Sequence, residues 1–84
     1  MTIQFTEEAW KDFEWLLDND KQLVKRIRTL LKDTLRNPFE GIGKPEKLRF
    51  DLSGCWSRRI NDEHRLVYKI EKGSIIVISC RYHY

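Results

Sequence analysis

Trp56-Ser57-Arg58-Arg59-Ile60-Asn61-Asp62-Glu63-His64-Arg65-Leu66-Val67-Tyr68 reads as two strands closed by a tight polar turn. The first strand spans Cys55 to Ile60 and the second Arg65 to Ile70, each rich in β-branched and aromatic residues. Side chains alternate faces along a strand, so the turn decides which arginines can act together. A three-residue loop, Asn61 to Glu63, sets Arg59 opposite Arg65 on one face, whereas a two-residue turn at Asp62-Glu63 separates them. Both versions make the second half of the chain an antiparallel run.

Downstream, Gly73 marks another turn and Ile75 to Tyr82 is the most apolar segment, expected as the central strand. Upstream, Leu48, Phe50 and Leu52 alternate with charged residues, a strand pattern ended by Ser53-Gly54. Before that, Pro38 to Lys47 carries two glycines and two prolines and reads as a loop within the domain.

The first 37 residues have a different period. Ile3 and Phe5 alternate as a short first strand, and Thr6 offers an N-cap with Glu7 and Glu8 in the first turn. A helix to about Asp18 follows, with Ala9, Trp10, Phe13, Leu16 and Leu17 on one arc and Trp15 pointing away, as a lone surface aromatic or part of an interface. Asp20 caps a second helix, Lys21 to about Arg36, stopped by Asn37-Pro38. Its apolar stripe is Leu23, Val24, Ile27, Leu30, Leu31 and Leu35, and Lys21, Lys25, Arg28, Lys32 and Arg36 lie almost opposite. The order β-α-α-β-β-β-β predicts an α+β fold, with two helices packed on one face of a mostly antiparallel sheet of four to five strands.

The 84 residues suit one domain, residues 1–84, burying only ~60 to 65% of the surface its unfolded chain exposes. Charge is polarised: residues 1 to 20 hold six acids and one lysine, net −5, and the other 64 hold seven acids and fifteen bases, net +8. A basic body favours anionic partners, nucleic acid or an anionic membrane surface. No apolar run approaches the ~18 to 20 residues of a membrane span, and no targeting segment is evident, so a cytoplasmic protein is expected. Cys55 and Cys80, the two cysteines, lack C-x-x-C spacing and fit buried thiols.

Cations beside a proton-transfer group and flat rings suit RNA, although a basic hairpin with a solvated tail has the same composition. Cleavage of RNA through its own 2′-hydroxyl requires a base, an acid and cations. There is no cluster at metal-ligand spacing, and neither a metal nor a cofactor is expected. Glu46, flanked by Lys44, Lys47 and Arg49, is the candidate base. His83 can protonate the leaving 5′-oxygen near neutral pH, while His64 falls in the turn with no anionic-substrate context, so His64→Gln is expected to cost little. Arg59 and Arg65 offer forked donors to phosphate, with Lys44, Lys47 and Arg49 as further substrate contacts. Tyr84 can stack on a splayed base, and Tyr82 fits either stacking or the core.

The terminal Arg81-Tyr82-His83-Tyr84, the hairpin sequence, and Asn37-Pro38-Phe39-Glu40-Gly41-Ile42-Gly43-Lys44-Pro45-Glu46-Lys47-Leu48 followed by Leu52-Ser53-Gly54 resemble the YoeB (Txe) toxins of the RelE/ParE superfamily. The resemblance spans essentially the whole chain. It implies a RelE-like microbial RNase fold and a messenger-RNA interferase that cuts in the A site of the 70S ribosome, silenced by a YefM-like antitoxin. A homodimer is expected from the polarised charge, the small core and Trp15, and the resemblance reinforces it. The resemblance further implies Glu46 as base, Arg65 as phosphate stabiliser and His83 as acid, with Arg59 and Tyr84 touching substrate. Two positions depart from the family pattern: Cys55 stands where an aromatic is usual, and Arg49 where lysine is common. A non-catalytic ribosome-binding or RNA-binding module needs the basic surface without the Glu46 and His83 pair.

Overall fold

The computed structural model describes residues 1–82. The elements are β1 (Thr2–Phe5), α1 (Glu7–Asn19), α2 (Lys21–Arg36), β2 (Glu46–Lys47), a single 3-10 turn (Phe50–Leu52), β3 (Trp56–Arg59), β4 (Arg65–Glu71) and β5 (Ser74–Ser79). His83 and Tyr84 lie outside the described residues.

Thr6 starts α1 by accepting a hydrogen bond from the Ala9 N–H at 3.1 Å, and its own hydroxyl donates to the Ile78 carbonyl. One residue therefore caps the helix and ties it to β5. Asp20 works at both helices: its N–H donates to Leu16 O at the end of α1, and its carboxylate accepts from Leu23 N at the start of α2. Each such cap contributes about 1 kcal/mol. At the other end of α2, Asn37 turns extended before Pro38, where the proline ring disfavours helical backbone.

The five strands are ordered β1-β5-β4-β3-β2, with β1 parallel to β5 and every other pair antiparallel. The sheet is thus mixed, and β4 rather than β5 occupies the centre. The two helices carry the chain from β1 at one edge of the sheet to β2 at the other, and the antiparallel run β2-β3-β4-β5 returns it so that β5 lies alongside β1, with Phe5 beside Val77. The helix-facing core packs Leu16, Ile27 and Leu30 against Leu66, Tyr68 and Val77, all fully buried. Burial of each large apolar side chain is worth about 1.5 to 3 kcal/mol.

Three expectations change at the edges of this core. Trp10 and Leu17 are 46% and 43% exposed, because they lie about 80° to 100° around the helix from Ala9, at the margin of the arc. Leu35, the last apolar residue of the α2 stripe, is exposed where the helix runs past the sheet, and Thr34 is buried instead. The predicted strand through Leu48, Phe50 and Leu52 is only the two residues Glu46–Lys47, followed by the 3-10 turn. Leu48 and Leu52 both reach a small second core with Cys55, Val67 and Ile78. The chain bends at the turn instead of continuing as a strand, so Phe50 no longer shares a side with Leu48 and Leu52 and is left 90% exposed.

Cys55 and Cys80 are free and buried. Burial pushes the Cys80 thiol up to about 12, helped by the nearby Asp12 carboxylate.

Candidate functional site

The loop from Asn37 to Glu46 is organised by Arg58, whose side chain is completely buried. Its Nε donates to the Tyr68 hydroxyl at 3.1 Å, Nη1 to Asp33 Oδ2 at 2.7 Å and Ile42 O at 3.2 Å, and Nη2 to Asn37 O at 2.7 Å and Glu40 O at 2.9 Å. The five donors of a guanidinium are thereby all used. Asp33 Oδ2 also accepts from the Ile42 N–H at 2.9 Å. That bond first, and the Arg58 guanidinium second, hold the Asp33 carboxyl below its ordinary value of 3.8. Gly41 passes so close that a Cβ there would collide with the Asp33 carboxylate, at a φ of +118°. Gly43 O then accepts from Arg59 N at 2.6 Å, fastening the loop to β3 immediately before Lys44 and Glu46.

The hairpin follows the three-residue-loop version. Arg59 is the direct partner of Arg65, and Ile60 N donates to His64 O at 3.0 Å. Glu46 pairs with Ser57, and Ser57 with Val67. Directly paired residues share a face, so Glu46, Ser57 and Val67 form one row across the sheet and Arg59 and Arg65 the next. The rows are about 7 Å apart, two residues along a strand. This is the face away from the helices. Arg58, between Ser57 and Arg59, turns to the helical side, which removes it from any substrate site.

Around this face the structure places the other predicted residues unevenly. Lys44 is exposed in the loop at a φ of +51°. Arg49 joins Glu46, Lys47, Leu48, Phe50 and Leu52 around a shallow depression of about 430 Å³. Lys47 pairs with Trp56, so the pleat assigns its side chain to the opposite face from Glu46. Phe50, which sequence reasoning took for a strand residue, projects at the rim with a φ of +59°. An aromatic residue in the left-handed region is strained by about 1 to 3 kcal/mol, a cost tolerated mostly where a site needs it.

The chain end approaches from the other side. Arg65 N donates to Tyr82 O at 3.0 Å, so the last described residues lie beside the arginine pair. The Arg81 guanidinium covers the Trp15 ring at 3.5 Å and donates to the Tyr82 hydroxyl at 2.8 Å. Trp15, predicted to point away from the core, is thus 41% exposed with a cation across its face. Tyr82 is 54% exposed and is not a core residue. His64, predicted as a turn residue without substrate context, is only 5% exposed and contacts Tyr82.

The basic stripe of α2 lies elsewhere. Lys25, Arg28, Thr29 and Lys32 line a shallow groove of about 320 Å³ on the outer side of the helix. It therefore lies on the helical side of the sheet, apart from the face carrying Arg59 and Arg65. Among the described residues, no helix is long and apolar enough to cross a membrane.

Comparison with known proteins agrees with the fold and extends it. Residues 5–84 match the family model described as the YoeB-like toxin of bacterial type II toxin-antitoxin system. Toxin YoeB of Synechocystis sp. is 58% identical over 84 residues, covering 100% of this chain and 98% of the relative. A heterotetrameric YoeB-YefM toxin-antitoxin complex from Staphylococcus aureus contains a chain 50% identical, with a TM-score of 0.92 over 100% of this chain and 98% of that one. A YoeB dimer from the same organism gives 0.93 at 50% identity, with the same coverage. With matches spanning both the helical layer and the whole sheet, this chain belongs to the YoeB-like toxin family of bacterial type II toxin-antitoxin systems.

Proposed function

We propose that the chain is a ribosome-dependent endoribonuclease that cuts messenger RNA in the ribosomal A site, in which the 2′-hydroxyl of the substrate is the nucleophile. The observation that carries this reading is the direct pairing of Arg59 with Arg65, with Glu46 one row away on the same face. The Glu46 carboxylate takes the 2′-hydroxyl proton, and the 2′-oxygen attacks phosphorus. The bond from phosphorus to the 5′-oxygen breaks, and His83 protonates that oxygen as it leaves. The products are an upstream 2′,3′-cyclic phosphate and a downstream 5′-hydroxyl. Arg59 and Arg65 stabilise the charge that grows on the phosphoryl oxygens, a contribution that strengthens in a partly dehydrated site.

Lys44 and Arg49 attract the backbone, Lys47, on the opposite face of the pleat, adds only its charge at the edge of the sheet, and Phe50 and Tyr84 supply rings for bases splayed from the stack. The α2 groove, on the other side of the molecule, suits ribosomal RNA phosphates. A YefM-like antitoxin and a second copy of the chain are the proposed protein partners, supported by the two staphylococcal assemblies. The rival reading, a non-catalytic ribosome-binding or RNA-binding module in a single domain, draws on that same α2 groove.

The test is single-turnover cleavage of message on programmed ribosomes, with ribosome binding measured separately. Wild type should release fragments with cyclic or 3′-phosphate ends, and Glu46→Gln and Arg65→Ala should each lose about 10² to 10⁴ in rate while still binding. Binding without cleavage by wild type would leave only the rival reading.

A further inference from the structure

His64 is held in one orientation by the turn that carries it. Asn61 Oδ1 accepts from the N–H groups of Glu63 and His64 at 2.9 and 2.7 Å, and His64 O accepts from Ile60 N and Asn61 N. The ring is buried, with Nε2 2.9 Å from Glu63 Oε1 and Nδ1 accepting the Tyr82 N–H at 2.6 Å. A ring nitrogen that accepts a hydrogen bond carries no proton, so the single proton of the neutral imidazole sits on Nε2, facing the Glu63 carboxylate. The contact is therefore directional: Nδ1 presents a lone pair to the chain end.

Tyr82 needs such a partner. Its φ of +63° is a left-handed conformation that costs a tyrosine about 1 to 2 kcal/mol and persists only where the surroundings impose it. Two backbone hydrogen bonds bracket that torsion, Tyr82 N to His64 Nδ1 and Arg65 N to Tyr82 O. The carbonyl in the second bond belongs to the peptide unit that joins Tyr82 to His83. Consecutive residues, His64 and Arg65, thus clamp the residue immediately before the proposed acid.

We propose that His64 is a positioning residue, whose Nδ1 lone pair holds the Tyr82 N–H and so sets the direction in which the chain enters His83. The proposal rests on the reading of His83 as the general acid, and it reverses the sequence-based expectation that His64→Gln costs little.

The geometry of amide side chains supplies the test. Asparagine places an acceptor oxygen at the δ position, where Nδ1 sits, whereas glutamine places its polar atoms one bond further out. His64→Asn should keep the Tyr82 amide protected from hydrogen exchange and cleave within about threefold of wild type on programmed ribosomes. His64→Gln and His64→Ala should lose that protection and at least about tenfold in single-turnover rate, part of the 10² to 10⁴ that a positioned acid supplies, with ribosome binding unchanged. Melting temperatures identify any variant that is not folded; if His64→Ala fails, the Asn and Gln pair carries the comparison. The proposal is overturned if His64→Gln protects Tyr82 or cleaves at the wild-type rate, or if His64→Asn falls as far as His64→Gln. Absence of cleavage by wild type refutes the catalytic reading instead, and the Tyr82 exchange still decides whether His64 holds the chain.

Discussion

Replacing Arg58 with methionine should remove a large share of the protein's stability, although the residue touches no proposed substrate. Methionine fills much of the same volume but leaves the Asp33 carboxylate, three loop carbonyls and the Tyr68 hydroxyl without their donor. Breaking a buried ion pair by removing one member costs about 3 to 5 kcal/mol. The lower half of that range applies, because the Asp33 side chain is 21% exposed and can recover water. A domain of this length has roughly 4 to 13 kcal/mol of total stability, at about 0.05 to 0.15 per residue. Urea denaturation should therefore move the midpoint of Arg58→Met far below wild type. Arg58→Lys should fall between them, since an ammonium keeps the charge but has three donors for five acceptors. Asp33 adds a pH signature: its folded value lies below 3.8, so its contribution is complete above that value and disappears as pH falls through the folded value. The stability gap between wild type and Asp33→Asn should accordingly close in acid. If Arg58→Met lost less than about 1 kcal/mol, the loop would not depend on this guanidinium and the account of how Glu46 is positioned would fail.

Phe50→Asn should raise stability by up to about 1 kcal/mol, because asparagine tolerates a left-handed backbone and the phenyl ring buries little, yet weaken RNA binding by about 1 to 3 kcal/mol; parallel urea and ribosome-binding titrations would show it, and unchanged binding would remove Phe50 from the substrate surface. The Cys80 thiol, pushed up to about 12, should resist alkylation at pH 8 in the native state and react only on unfolding, as timed by mass spectrometry. Deleting His83 and Tyr84 should leave antitoxin binding and the urea midpoint close to wild type while cleavage drops by about 10² or more; cleavage at the wild-type rate would dismiss His83 as the acid.

The helices were legible in the sequence because their signals are local. As caps, Thr6, Asp20 and Asn37-Pro38 act on backbone groups within four residues of themselves, so capping chemistry places the helix boundaries, whereas the tie from the Thr6 hydroxyl to Ile78 O left no local signal. The hairpin was legible only as a hairpin, since its turn allows two registers, and it is the observed pairing of Arg59 with Arg65 that selects the three-residue one. Tertiary structure decided what each basic or polar residue is for. Arg58 and Arg59 are identical neighbours in sequence, yet strand alternation sends one into the interior to anchor a loop and leaves the other on the open face. Likewise, Leu48, Phe50 and Leu52 alternate as a strand would, yet the chain turns at Phe50–Leu52, so that Leu48 and Leu52 join the small core around Cys55 and Val67 while the Phe50 ring is exposed. His64 gained its partner only because the chain end, 18 residues on, comes back beside the hairpin turn. A partner so distant in sequence leaves no periodic trace, since periodicity reports which side of an element is buried and not which residue lies across from it.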